Sequence, residues 1–126
     1  MSGRKRKHDP QSDGVFLYEG GEVAEDLKSD ITRIRVGPQV KDIPIKAFQG
    51  CTNLVEVQFD EGMLRVIGDR AFRDCIALQQ VAIPSSVTKV GSYAFYGCRN
   101  LIKLQFNEGL DIIGKCAYHG CQALQQ

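Results

Sequence analysis

Apolar residues return along this chain with a period far longer than that of a helix or a strand. The pair Ala47-Phe48 comes back as Ala71-Phe72, Ala94-Phe95 and Ala117-Tyr118, at steps of 24, 23 and 23 residues. Four residues after each alanine stands a cysteine: Cys51, Cys75, Cys98, Cys121. Three further on stands a leucine: Leu54, Leu78, Leu101, Leu124. Then come Val57, Val81 or Leu104, and two residues later Phe59, Ile83 or Phe106. After a turn follow Leu64, Val87 or Leu110, and three residues on Ile67, Val90 or Ile113, before Gly68, Gly91 and Gly114. A degenerate copy lies upstream, where Ile31, Ile34, Val36, Val40 and Ile43 hold the corresponding positions and Pro44 replaces the glycine. The one length irregularity falls in Asp60-Glu61-Gly62-Met63, a surface turn that can absorb an extra residue.

The spacing within a copy predicts its elements. Pairs such as Val57/Phe59, Val81/Ile83 and Leu104/Phe106 are two apart, which puts both side chains on one face of a short strand. The Ala-x-x-x-Cys step places both residues on one side of a helical or 3₁₀ turn. A copy this short cannot enclose a core, but stacked copies can, each column of like residues lying over its neighbour. The expected fold is therefore a solenoid of about four coils with a short parallel sheet. The Phe48, Phe72, Phe95, Tyr118 column then reads as a core spine, with apolar burial as its main role. The β-prone run Val15-Phe16-Leu17-Tyr18 looks like a capping strand over the first coil, so the expected organisation is a polar tail over 1–14, a cap over 15–29 and repeats over 30–126.

The stretch Ile67-Gly68-Asp69-Arg70-Ala71-Phe72-Arg73-Asp74-Cys75-Ile76-Ala77-Leu78-Gln79-Gln80-Val81-Ala82-Ile83-Pro84-Ser85-Ser86-Val87-Thr88 resembles the BspA-type leucine-rich repeat. The resemblance covers roughly residues 30–126 in three full copies and a fourth, incomplete one. It implies a right-handed solenoid with a strand, a turn and a short helical or 3₁₀ segment per coil. It also implies interaction or adhesion, not catalysis.

Charge narrows the partner. Sixteen Lys and Arg face fifteen Asp and Glu. The run Arg4-Lys5-Arg6-Lys7 sits in the tail, so the repeats themselves are slightly acidic and nucleic acid is not the expected partner. That basic run is a candidate nuclear-localisation signal. No apolar stretch of membrane-spanning length occurs, and the charged N-terminus has no apolar h-region behind it. The expectation is an intracellular protein of the cytoplasm, or of the nucleus if the run acts in import. The five cysteines, an odd number, suit reduced thiols.

Candidate chemistry is sparse. The cysteine column lacks the close pairing of zinc ligands and reads as small buried thiols. Cys116, His119 and Cys121 form a C-x₂-H-x-C cluster, but Cys121 belongs to that column and the other two stand at positions expected to be exposed, so no metal or other cofactor is expected. No catalytic motif is present, and no enzyme is expected.

Binding is instead expected on the outward side of the strands, where three columns form: Arg33, Glu56, Gln80, Lys103; Arg35, Gln58, Ala82, Gln105; and Gly37, Asp60, Pro84, Asn107. From these, Arg33, Arg35, Glu56, Gln58, Asp60, Gln80, Lys103, Gln105 and Asn107 are the candidate contact residues for a protein partner. The last copy stops at Leu124-Gln125-Gln126 with no polar cap, so its open edge is a candidate for self-association. The alternative to a free-standing interaction module or scaffold is a repeat segment of a longer protein, whose effector part, such as a kinase or hydrolase, or adhesive part lies elsewhere. Adhesion would need a secretory signal.

Overall fold

In a computed structural model the described residues are 14–124. The run Arg4-Lys5-Arg6-Lys7 lies outside them. Nine strands and one short helix follow in the order β1 (Val15–Tyr18), α1 (Glu25–Lys28), β2 (Arg33–Val36), β3 (Asp42–Ile43), β4 (Glu56–Phe59), β5 (Val66–Ile67), β6 (Gln80–Ala82), β7 (Lys89–Val90), β8 (Lys103–Gln105) and β9 (Ile112–Ile113) among the described residues. They form two parallel sheets, one in the order β1-β2-β4-β6-β8 and one in the order β3-β5-β7-β9. Each coil thus contributes one strand to each sheet and then a turn segment, about four coils in all.

The larger sheet is the one that alternation predicts, and its register matches the expected columns: Arg33 lies beside Glu56, Glu56 beside Gln80, and Gln80 beside Lys103. Ile34, Val57 and Val81 point inward and are buried. The smaller sheet is an addition to that expectation. Its strands are only two residues long, too short to show a period, and Ile43, Ile67 and Val90 are their buried members.

The turn segments are chains of i→i+3 bonds. Ala47 N–H donates to Pro44 O, Gln49 N–H to Lys46 O and Cys51 N–H to Phe48 O, at 3.2 Å each. This is 3₁₀-type bonding. It does not grow into a helix, because left-handed residues interrupt every segment. Lys46, Arg70, Tyr93 and Cys116 all hold φ between 55° and 63°. The following left-handed position is glycine in three coils (Gly50, Gly97, Gly120) and Asp74 in the fourth. This alternation turns successive peptide groups along the solenoid axis. Phe48 N–H then donates to Ala71 O (2.8 Å), Phe72 N–H to Ala94 O (2.7 Å) and Phe95 N–H to Ala117 O (2.6 Å).

The core is one continuous cluster of stacked columns. Phe48, Phe72 and Phe95 are completely buried and stack ring on ring, with centroids 5.3 Å apart at both steps. Such pairs contribute about 0.5–1.5 kcal/mol beyond area burial. Tyr18 of β1 meets Phe48 edge-on at 5.1 Å and closes that end of the spine. Its hydroxyl donates to Gly21 O, and burial pushes its pKa up to about 12. Lys28 of α1 is buried over the same end and donates to Lys46 O. At the other end the expected spine ends differently. Tyr118 is 43% exposed and Phe106 39%, because no coil among the described residues covers their outer faces.

Two further columns follow from how closely the coils approach. The cysteines are free thiols that hold neighbouring coils: Cys75 Sγ donates to Phe48 O, Cys98 Sγ to Phe72 O and Cys121 Sγ to Phe95 O, each at 3.2 Å. The second is the Gly68, Gly91, Gly114 column. A Cβ on Gly91 would lie 2.6 Å from Asp69 N, and one on Gly68 2.6 Å from Ile43 O. The extra residue of the second coil is accommodated as expected in a surface turn, with Gly62 lying against the Pro38 backbone and Met63 turned outward.

These contacts have measurable consequences. Gly91→Ala should lower the unfolding free energy by about 1–3 kcal/mol in urea titrations, since backbone atoms cannot yield as a side chain does. An unchanged midpoint would contradict the close approach. Burial pushes the Cys75 thiol well above its ordinary range, and the hydrogen bond with Cys121 together with burial does the same for Cys98. In the folded protein, a thiol reagent at neutral pH should therefore modify the half-buried Cys116 and Cys121 and spare Cys75 and Cys98 until denaturant is added. Mass-mapped modification of Cys75 at the rate of Cys116 would refute this.

Candidate functional site

The outward columns of the larger sheet occupy alternate strand positions, so the inward anchoring of Ile34, Val57 and Val81 aims their neighbours away from the core. The structure brings most of the expected residues together but divides them into two groups. On the first strands the charges are paired. Arg33 Nε lies 3.7 Å from Glu56 Oε1, and Arg35 Nε donates to both carboxylate oxygens of Asp60, at 3.1 and 3.2 Å. These pairs bridge adjacent coils at the surface, where each contributes at most about 1 kcal/mol.

Over the later strands the side chains enclose a shallow groove of about 250 Å³. Gln58, Gln80, Lys103 and Gln105 form its polar sides, with Glu56 at one end. Ala82 lies among them, and its small side chain leaves the depression between Gln58 and Gln105, its predecessor and successor in the column. Primary amides offer both donors and acceptors, so this groove can bond a peptide group in either sense.

Asn107 belongs elsewhere. Its Nδ2 donates to Pro84 O (2.6 Å) and Val87 O (3.2 Å), while its Oδ1 accepts from Gly109 N–H (2.6 Å). Its amide is engaged in joining a turn to the coil before it. Asp60 is likewise held by Arg35, so neither side chain lies in the groove.

The C-x₂-H-x-C cluster is dispersed by the fold. Cys121 Sγ points to Phe95 O, whereas the His119 ring stacks on Tyr96 at 5.7 Å. No group of three or more metal-ligating side chains gathers among the described residues. No helix there is long and apolar enough to cross a membrane.

One grouping escaped the sequence reading. Arg70, Arg73, Tyr93 and Tyr96 occupy positions expected to be plainly exposed, yet they are half-buried against one another. Arg70 Cζ lies 5.2 Å from the Tyr93 ring centre, and Arg73 Cζ lies 4.9 Å from Tyr96 and 5.8 Å from Tyr93. The partners come from successive coils, twenty or more residues apart, so only the coil register could have revealed them.

Comparison with known proteins agrees with this architecture. The model of the BspA type leucine rich repeat region matches residues 27–126 in six copies, which do not coincide one for one with the coils. No curated protein sequence matches the chain. Among solved structures, a leucine-rich repeat protein from Bacteroides ovatus ATCC 8483 is similar at 27% identity and a TM-score of 0.79, over 88% of this chain and 30% of that one. A leucine-rich repeat protein from Eubacterium ventriosum ATCC 27560 shares the fold, with 24% identity and a TM-score of 0.71, over 78% of this chain and 26% of that one. This chain thus spans less than a third of the length of either. With the repeat columns, the two parallel sheets and the matched region in agreement, the chain belongs to the BspA-type leucine-rich-repeat family.

Proposed function

We propose that this protein is an interaction module that binds a protein partner along the outward face of its larger sheet. The observation that carries this reading is the groove over Ala82, lined by Gln58, Gln80, Gln105 and Lys103. An extended polypeptide segment suits it. Its backbone presents a donor and an acceptor at each non-proline residue, and the glutamine amides can meet both. The mixed charge of the face favours protein over nucleic acid, which would select a uniformly basic stripe. Membership in a repeat family whose modules generally serve protein interaction supports the same reading.

The paired arginines at one end and Lys103 at the other are then available to orient the partner by charge. Reversing Arg33, Arg35 and Lys103 together to glutamate sets like charges against Glu56 and Asp60 but leaves the buried core untouched, and circular dichroism establishes that the variant is folded. In affinity capture from lysate of the source cells, wild-type protein should retain a partner that the reversed protein loses. Equal recovery by both would reject this face as the binding surface.

A further inference from the structure

A second surface lies on the turn segments, away from the strand face. We infer that Arg70 and Arg73, held by Tyr93 and Tyr96, form a receptor site for an acidic segment of a partner protein. The inference stands apart from the strand-face reading, since it uses other residues on another side of the coil.

Two observations carry it. First, the two guanidinium groups share one ring, both within 6 Å of the Tyr93 centroid, and Arg73 also lies over Tyr96. Tyr96 in turn meets Tyr93 edge-on at 5.3 Å and stacks on His119. The rings restrain the arginines, and both side chains remain partly exposed although Arg73 Nε itself is buried.

Second, local acids satisfy the hydrogen-bonding capacity of these cations only in part. Arg70 has no ion pair among the described residues. Arg73 Nε lies 3.5 Å from Asp74 Oδ2 and makes no hydrogen bond. Asp69, next to Arg70 in the chain, already accepts from Ser92 N–H at 2.9 Å. Asp69 and Asp74 offset the two guanidiniums in formal charge, so the positive excess of this surface comes from its lysines. These are the exposed Lys46 and Lys115 of the flanking coils.

Carboxylate chemistry fits this geometry. Planar guanidiniums accept carboxylates side by side through paired N–H···O bonds. A nucleic-acid strand fits less well. It needs a longer basic track, and free aromatic faces for its bases, whereas Tyr96 is already flanked by Arg73 and His119.

The test uses the full chain and a fluorescein-labelled decaglutamate peptide, read by anisotropy at low salt. Decalysine and a ten-residue oligothymidylate serve as comparison probes. Arg70→Gln with Arg73→Gln should weaken decaglutamate binding about tenfold. Arg33→Gln with Arg35→Gln, on the strand face, should change it by less than about twofold. Arg70→Lys with Arg73→Lys keeps the charge but not the fork, and should still weaken binding several-fold. Circular dichroism establishes that each variant is folded, and the lysine pair serves if the glutamine pair is not. Absence of decaglutamate binding, or binding that survives loss of both arginines and so resides in the basic tail or in overall charge, would overturn the proposal. So would tighter binding of oligothymidylate through the same arginines, which would assign the site to nucleic acid.

Discussion

Everything in this molecule depends on the hydrogen bonds that run from one coil to the next. They fix the coil-to-coil distance at the parallel-strand spacing of about 4.8 Å. At that separation each residue faces its counterpart in the neighbouring copy, so a column must be filled by side chains that stack. Phenylalanine rings at 5.3 Å satisfy this, and so do small thiols reaching the carbonyl of the coil before. Where backbone meets backbone, at Gly68 and Gly91, even a methyl group is too much. The repeated sequence is the imprint of this one distance.

That imprint explains what could be read before the structure was known. Ala47-Phe48 and its successors, the cysteines and the leucines are legible because stacking allows few substitutes. The strand register follows, and with it the outward columns from Arg33 to Gln105. Elements without such a constraint were hidden. The smaller sheet rests on dipeptides such as Val66-Ile67, too short to carry a period. The left-handed positions are filled by Lys46, Arg70, Tyr93 and Cys116, residue types that give no sign of positive φ. Asn107 looked like one more surface amide, because its three hydrogen bonds close a turn that only the fold creates. Tyr118 and Phe106 matched their columns, but a column's last member has a neighbour on one side only.

The same distance shapes the two proposed binding surfaces. Side chains that point outward are brought into rows without being required to match. Change along a row is therefore where specific recognition can arise. Ala82 among glutamines opens a groove on the strand face. Arginine followed by tyrosine in two adjoining columns produces the cation–aromatic cluster on the turns. A rigid frame with variable rows can carry more than one partner, and the two surfaces use separate residues.

Hydrogen exchange followed residue by residue tests the central claim most directly. The amides of Phe48, Phe72 and Phe95 each donate to the next coil, whereas the Tyr118 amide has no backbone acceptor among the described residues. The account predicts slow exchange at Phe48, Phe72 and Phe95, and exchange faster by at least about tenfold at Tyr118. A Phe72 amide exchanging as fast as that of Tyr118 would contradict it, because the coils would not be joined where their register requires.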